Sequence, residues 1–202
     1  GDTFWTCENI PRVVGALNKE SAYKTANFYS ELLGGDVIDV GNVRASSRPK
    51  HTLDASGQYR SNEVPIGSVT VMNSIRDAEA VKAMENTIRD VNIAFVNELA
   101  KMSDVLGLDL VDIIDGMSTK PFGKGPFFPG AGVGGHCIAV DPEWLKAASV
   151  NAGFMPDMLN MARSINNSMP AYAVTRLEEL LAGAGIPLSG SKIALLGVSY
   201  KK

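Results

Sequence analysis

Residues 76–106 read RDAEAVKAMENTIRDVNIAFVNELAKMSDVL and contain neither glycine nor proline. Apolar side chains recur there at steps of three and four: Val81, Met84, Ile88, Val91, Phe95, Leu99, Met102 and Leu106. This spacing places them on one face of an amphipathic helix of roughly 30 residues, about 45 Å long. A helix of that length exceeds what one small core covers. We therefore expect a homodimer that forms through the helix at 76–106.

A second stripe on the same helix is mostly polar and is spaced for one face: Lys82, Asn86, Arg89, Ile93 and Asn97. Lys82 and Asn86 lie one turn apart and can direct their donors at one point, which suits an oxyanion or a bound water. A solvated stripe is the alternative. Three asparagines in one helix, Asn86, Asn92 and Asn97, indicate buried hydrogen bonds or ligand contacts, because asparagine is a poor helix former.

Further along the chain, residues 127–142 read FFPGAGVGGHCIAVDP, with four glycines in six positions. Glycines at that density let a backbone run close to a ligand. Cys137 follows them and Asp141 comes four residues later, so the segment has a nucleophile and a candidate base. A tight structural turn with a buried thiol is the alternative.

Two other interpretations of this segment are weaker. Gly130, Gly132 and Gly135 match the spacing G-x-G-x-x-G, but Pro126 and Pro129 argue against the central strand that a dinucleotide turn follows. Structural zinc needs about four nitrogen or sulfur ligands at recognisable spacing, and the two cysteines and two histidines do not supply it. We expect no metal site.

Composition limits the class of protein. The chain has 202 residues, 45% hydrophobic and 20% charged, with a net charge of −3, which is ordinary for one or two globular domains. Nothing indicates a nucleic-acid or membrane partner, since no basic excess and no apolar run of roughly 20 residues occurs. The first ten residues show no signal peptide, and two distant cysteines favour a reducing cytoplasm.

Elements on either side of the long helix belong to α/β structure. Arg12–Gly15 and Val37–Val40 predict short strands, with a helix between them that Ser21 caps and Gly34 ends. Residues 44–68 show little periodicity, so we predict a long exposed loop or an insertion.

The C-terminal part predicts four more helices and a strand. The helices are expected at 110–116, from an Asp141 N-cap with Pro142 as first residue, at 156–168 and at 170–181. Lys192–Gly197 has the apolar pattern of a buried strand that begins an α/β domain.

Two segments together resemble the UDP-glucose/GDP-mannose dehydrogenase family. They are DAEAVKAMENTIRDVNIA at 77–94 and GAGVGGHC at 130–137. The Gly-Gly-His-Cys form, with Val140-Asp141-Pro142, resembles the UDP-N-acetylhexosamine branch, whereas the UDP-glucose branch usually carries serine before the cysteine. Residues 162–170 and 196–201 are also similar to family segments. The resemblance covers about residues 9–40 and 72–202.

This resemblance implies a mainly α fold with flanking α/β pieces, in which a central helical dimerisation domain lies between remnants of two Rossmann-like domains. We assign 1–43 to the end of an NAD-binding domain, 44–68 to an insertion or loop, 69–186 to the central domain and 187–202 to the start of a nucleotide-sugar domain. The NAD turn itself is missing, so cofactor-binding residues stay unassigned.

The family oxidises the C6 alcohol of a nucleotide sugar to a carboxylate with two NAD. The resemblance implies a UDP-N-acetylhexosamine substrate, with UDP-N-acetyl-D-mannosamine favoured, and a UDP-glucose or UDP-N-acetylgalactosamine type as alternative. Cys137 would form a thiohemiacetal and then a thioester, with Asp141, Lys82 and Asn86 assisting hydrolysis. The implied substrate contacts are Phe128, Pro129, Gly130, Ala131, Gly132, Val133, Gly134, Arg163, Tyr200 and Lys201, with Lys120 a further charge contact. The chain by itself could instead be a non-catalytic dimerisation module.

Overall fold

A computed structural model describes residues 6–40, 51–53, 59–61, 67–120 and 127–197. The chain divides into two compact units, one formed by residues 1–83 with 118–125 and the other by residues 84–117 with 126–202. The first unit is α/β and the second is helical. The predicted mainly α fold with a flanking α/β piece is therefore confirmed.

The first unit contains a three-stranded parallel sheet in the order β1 (Arg12–Val14), β5 (Val69–Val71), β2 (Val37–Asp39). Helix α1 (Lys19–Leu33) connects the two edge strands and covers the sheet. Its buried Ala22 and Ala26 pack with valines of β1 and β5, as the predicted helix face requires.

Helix α1 begins one turn earlier than the sequence predicts. Its N-cap is Asn18, whose side-chain Oδ1 accepts the Ser21 N–H at 2.8 Å. The assignment of Ser21 as the cap is therefore wrong, because asparagine serves as well and its geometry fits. Gly34 ends the helix with φ +69°, the left-handed conformation that glycine tolerates best.

The central strand β5 was not predicted, because Val-Thr-Val is too short to show periodicity and follows an irregular segment. Within that segment the structure pairs β3 (His51–Leu53) with β4 (Tyr59–Ser61) in an antiparallel hairpin. The predicted loop at 44–68 therefore contains two short strands. Its assignment as an insertion stays a prediction.

The long helix predicted at 76–106 is confirmed as α2 (Ile75–Leu106). Ser74 caps it: its Oγ accepts the Asp77 N–H and donates to the Asp77 carboxylate. Helix α3 (Leu110–Ser118) follows, and its Leu110 and Ile114 pack against Val96 of α2.

Helix α4 (Cys137–Asn151) begins at Cys137, so the predicted start with Asp141 as N-cap is wrong. Asp141 and Pro142 are the fifth and sixth residues of the helix. Pro142 costs one backbone hydrogen bond, since proline has no N–H. The burial of Ile138 and Pro142, one turn apart, offsets that cost.

Helix α5 (Asp157–Gly183) is continuous where two helices separated at Pro170 were predicted. Proline usually ends or kinks a helix. Here Leu159, Ala162, Asn166 and Met169 form a buried stripe that reaches the proline. Packing along one side therefore keeps the helix continuous through Pro170.

The strand predicted at Lys192–Gly197 does not form. The backbone there has no regular structure, and Leu195 and Leu196 are 84% and 91% exposed. A strand requires a neighbouring strand to satisfy its backbone groups. Among the residues described, no helix is both long and apolar enough to cross a membrane.

Candidate active site

Cys137 is the first residue of α4, directly after the glycine-rich segment. The thiol residue is exposed and unpaired with the other cysteine, Cys7, so the alternative of a buried thiol is wrong. A helix N-terminus stabilises negative charge because its first N–H groups lack intrahelical partners. This position suits a nucleophilic sulfur.

Asp141 lies one helical turn after Cys137, so both residues are on the same face of α4. Asn86 of α2 donates from Nδ2 to Asp141 Oδ2 at 2.5 Å. The structure thus brings together three of the predicted catalytic residues, Cys137, Asp141 and Asn86, within the second unit. A carboxylate held in this way can accept a proton from water or orient it.

Lys82, the fourth predicted catalytic residue, lies one turn before Asn86 in the sequence of α2 and belongs to the first unit. Its role beside Cys137 stays a prediction, and the same holds for Lys120. Tyr200 and Lys201 lie outside the described residues.

Within the second unit, a buried polar cluster joins α2 to α5. Asp90 is fully buried, and its Oδ1 accepts hydrogen bonds from Arg163 Nη1 and from Asn166 Nδ2, both at 2.8 Å. The Asn166 amide also donates to the Asp90 backbone carbonyl at 3.0 Å. Arg163, predicted to contact the substrate, is thus held in an ion pair, and its side chain is only 11% exposed. Its substrate contact stays a prediction.

The cluster continues to the glycine-rich segment. Asn97 donates from Nδ2 to Asn166 Oδ1 at 2.9 Å, and the Gly130 N–H donates to Asn97 Oδ1 at 2.9 Å. Asn97 therefore uses both ends of its amide. The buried hydrogen bonds predicted from the asparagines of this helix are confirmed for Asn97. Asn92, in contrast, only donates back to the Ile88 carbonyl of its own helix.

Gly130 bonds to α2, and Gly132 makes a close approach to α5. A Cβ at this position would lie 3.1 Å from the Asn166 carbonyl oxygen, and φ is +110°. That carbonyl is the one that the residue at 170 would normally bond, but Pro170 has no N–H. The loop therefore packs at the point where the proline interrupts the hydrogen bonding of the helix.

The remaining loop residues vary in exposure. Phe128 is 53% exposed, and Pro129, Gly132 and Val133 are partly buried. Gly130, Ala131 and Gly134 are exposed. Exposed backbone next to an exposed cysteine leaves room for a ligand at the surface of the second unit.

Sequence reasoning missed Asp90, and Asn166 appeared only as part of a family-like segment. One signal was available: Asp90, Ala94 and Asn97 follow a 4-3 spacing on α2, so a charged residue shares a face with an alanine and an asparagine. Such a face buries polar groups only with partners. Those partners come from a helix about 70 residues later, which no local pattern indicates.

The described residues contain no cluster of His, Cys, Asp and Glu that could hold a metal ion.

On α2, several large apolar side chains of the predicted stripe are exposed, whereas Val81, Val91 and Leu99 are partly buried. Met84, Ile88, Phe95 and Met102 are between 48% and 58% accessible. Two open cavities of about 400 and 500 Å³ lie between this side of α2 and the helices α4 and α5. Met158 lines both and is 75% exposed. Clustered exposed apolar side chains of this kind are typical of interaction surfaces.

Comparison with known proteins places these features in one family. Residues 76–168 match the model of the UDP-glucose/GDP-mannose dehydrogenase family, central domain. The match contains α2, α3, the glycine-rich segment, α4 and the first part of α5, and so covers all residues of the cluster.

Individual relatives agree with this family match. The chain is 44% identical over its whole length to a UDP-N-acetyl-D-mannosamine dehydrogenase of Pyrococcus horikoshii, of which it covers 43%. It is 34% identical over 166 residues, 82% of the chain, to a UDP-N-acetyl-D-glucosamine 6-dehydrogenase of Pseudomonas aeruginosa, of which it covers 38%. It spans about two fifths of the length of these relatives.

A solved structure shares the fold. The structure of a UDP-D-ManNAc dehydrogenase from Pyrococcus horikoshii matches with a TM-score of 0.70 and 32% identity, and covers 94% of the chain and 37% of that protein.

Proposed function

Because this chain belongs to the UDP-glucose/GDP-mannose dehydrogenase family, we propose that it carries the catalytic cysteine of an NAD-dependent UDP-sugar 6-dehydrogenase. The observation that carries the proposal is the arrangement around Cys137: an exposed thiol ends a glycine-rich loop, and Asp141 one turn later is held by Asn86 at 2.5 Å. The substrate is a UDP-N-acetylhexosamine, with UDP-N-acetyl-D-mannosamine first, as the names of the relatives suggest.

In this proposal, Cys137 Sγ adds to the C6 carbonyl carbon of the aldehyde and forms a thiohemiacetal. In the hydrolytic step, water adds to the C6 carbonyl carbon of the Cys137 thioester, the C–S bond breaks, and the uronate and the cysteine thiolate are released. Asp141 accepts the proton of this water, and the Asn86 hydrogen bond fixes the direction of the carboxylate. Lys82 stabilises the negative oxygen that each addition produces.

The loop binds the rest of the substrate. Phe128 to Gly134 line the sugar and diphosphate through backbone that glycine leaves uncovered. Arg163, Tyr200 and Lys201 supply the charged and polar contacts that the resemblance implies. The exposed surfaces of Gly130, Ala131 and Gly134 support this assignment.

NAD enters the proposal from the family alone. Two strand–turn–helix connections occur within the described residues, after β1 and after β5. The first carries one glycine, Gly15, and the second carries none. A dinucleotide turn needs three glycines for close approach to the pyrophosphate, so these residues do not fit NAD. No step above is assigned to it.

The protein assembles as a homodimer through the exposed apolar side of α2, and it acts in the cytoplasm. The exposed methionines and Phe95 support the dimer, since two copies would remove them from water.

A second candidate is a non-catalytic dimerisation module. The misfit to NAD and the exposed side of α2 favour it. It predicts a helical dimer that neither binds NAD nor turns over a UDP-sugar.

The test is NADH formation from a panel of UDP-N-acetylmannosamine, UDP-N-acetylgalactosamine, UDP-N-acetylglucosamine and UDP-glucose. Joined to an NAD-binding domain of the same family, the wild-type chain should form two NADH per sugar from one of the N-acetylated substrates, and the Cys137→Ala variant should form none. Uronate formation by Cys137→Ala at the wild-type rate would refute the role of the cysteine. A dimer that forms no NADH with any of the four sugars would favour the module instead.

A further inference from the structure

The amides of Asn97 and Asn166 are buried polar groups in the second unit, and their burial carries a cost. Asn97 is fully buried and Asn166 is 2% exposed. A polar group removed from water destabilises a fold unless every hydrogen bond is replaced. An interface between α2 and α5 gains more from aliphatic side chains of the same size. Stabilisation of the interface between α2 and α5 therefore does not explain why two asparagines are buried there.

Both asparagines contact the glycine-rich loop. Asn97 Oδ1 accepts the Gly130 N–H at 2.9 Å, and the Asn166 carbonyl oxygen lies against Gly132. The Asn97 Nδ2 bond to Asn166 Oδ1, also 2.9 Å, locks the two together. The loop is thus hydrogen-bonded to the Asn97 amide at Gly130 and packs against the backbone of α5 two residues later, at Gly132.

Asp90 in turn orients the Asn166 amide. Asn166 Nδ2 donates to two of the three Asp90 oxygens, the backbone carbonyl and Oδ1. This leaves Asn166 Oδ1 to accept from Asn97, which in turn leaves Asn97 Oδ1 to accept from the loop. Each amide has one orientation that satisfies its partners.

We propose that Asn97 and Asn166 are positioning residues that set the backbone of the glycine-rich loop for the diphosphate-sugar of the substrate, a role that rests on the proposed function. A loop of glycines has few side chains of its own to hold it in place. The pair removes that freedom before the substrate arrives, so that less entropy is lost on binding. The Gly130 N–H is bonded to Asn97 and is therefore not available to the ligand.

The proposal separates affinity from stability. Calorimetric titration with UDP-N-acetylmannosamine gives both the dissociation constant and the fraction of binding-competent protein. Loss of a merely structural contact lowers that fraction and leaves the dissociation constant of the folded molecules unchanged. Loss of loop positioning raises the dissociation constant.

We expect Asn97→Ala to raise the dissociation constant about tenfold, the size of effect that follows from losing one buried hydrogen bond. Asn97→Ser is a milder change because it keeps a polar hydroxyl. That hydroxyl is too short to reach Gly130, so the variant should raise the dissociation constant by a similar factor. The double variant Asn97→Ala/Asn166→Ala should be no weaker than the weaker single variant, because the two residues act as one unit. Amide hydrogen exchange at Gly130 should accelerate in each variant.

Ser168→Ala is the matched control. Ser168 accepts a hydrogen bond from Lys101 at 2.7 Å and so joins the same two helices without contacting the loop. The Ser168→Ala variant should bind UDP-N-acetylmannosamine as tightly as the wild type. Wild-type affinity in both Asn97→Ala and Asn97→Ser, with only the competent fraction reduced, would overturn the inference and leave the proposed function standing. Failure of the wild-type chain to bind any UDP-sugar would overturn both.

Discussion

Within the second unit, two sides of α2 depart from the usual distribution of polar and apolar residues. The inner side buries Asp90 and Asn97, which bond to α5, whereas the outer side carries Ile88 and Phe95, both more than half exposed, with Phe95 at the edge of an open cavity. Polar groups inside cost stability, and large apolar groups outside cost solubility. A helix tolerates buried polar groups where they serve a function besides packing, and it tolerates exposed apolar groups where a partner covers them.

A substitution on the inner side of α2 should have the largest effect on stability. Asp90→Leu leaves Arg163, with 11% of its side chain exposed, without its buried carboxylate. We expect a loss of about 3–5 kcal/mol in the free energy of unfolding, measured by urea denaturation. The variant Asp90→Leu/Arg163→Leu removes both charges and should recover much of that loss. If the single variant costs less than the double one, the inner side is not held by this pair.

The outer side should respond in assembly rather than in folding. Phe95→Glu places a charge on the proposed dimer face, and we expect dimer affinity to fall by about 2 kcal/mol or more. Sedimentation equilibrium measures this change, and urea denaturation of the monomer should show little effect. Leu180→Glu is the control, because Leu180 is 66% exposed but lines neither cavity. Equal dissociation in both variants would place the interface elsewhere.

The loop on the inner side allows a comparison of two glycines. Gly132→Ala is strained by φ +110° and by a Cβ 3.1 Å from the Asn166 oxygen, so we expect a loss of about 1–3 kcal/mol. A Cβ at Gly130 meets nothing within 4 Å, and Gly130→Ala should cost about 0.5 kcal/mol or less. Thermal unfolding measures both. Similar costs would show that the loop does not rest on α5 at Gly132.

The exposed end of the same helix pair should give the smallest effect, and one that depends on pH. Tyr172 of α5 donates to Asp104 of α2, and desolvation together with this bond raises the pKa of Tyr172 from 10.0 to about 12. The neutral phenol is thus favoured in the folded state. Its contribution is complete below pH 10 and is lost as pH rises from 10 through about 12.

Comparison of the wild type with Tyr172→Phe isolates this contribution. The stability advantage of the wild type should vanish across that pH range, and the phenolate absorbance should titrate above the normal tyrosine range. An advantage that stays constant to pH 12 would contradict the raised pKa.

Local patterns predicted α2 well because one helix of 32 residues repeats its apolar spacing many times. They failed for β5, which has three residues and is defined by its neighbours β1 and β2. Pro170 was misjudged for a related reason: the rule that proline ends a helix is local, whereas the stripe that holds α5 together packs against residues distant in sequence.

The candidate site divides in the same way. Cys137 and Asp141 could be selected from residue type and spacing, and Asn86 from its place on the polar stripe. The link from Asn97 to Gly130 depends on how a loop folds over α2, 33 residues away in sequence. No pattern within either segment contains that information.

The most direct test of the central claim follows alkylation of the two exposed cysteines, Cys137 and Cys7, by peptide mass spectrometry. It needs neither NAD nor turnover, and Cys7 is an internal control for general thiol reactivity. Saturating UDP-N-acetylmannosamine should slow the labelling of Cys137 about tenfold or more and leave Cys7 unchanged, since a bound ligand blocks its site in proportion to occupancy. Equal labelling of Cys137 with and without each UDP-sugar of the panel would contradict the account.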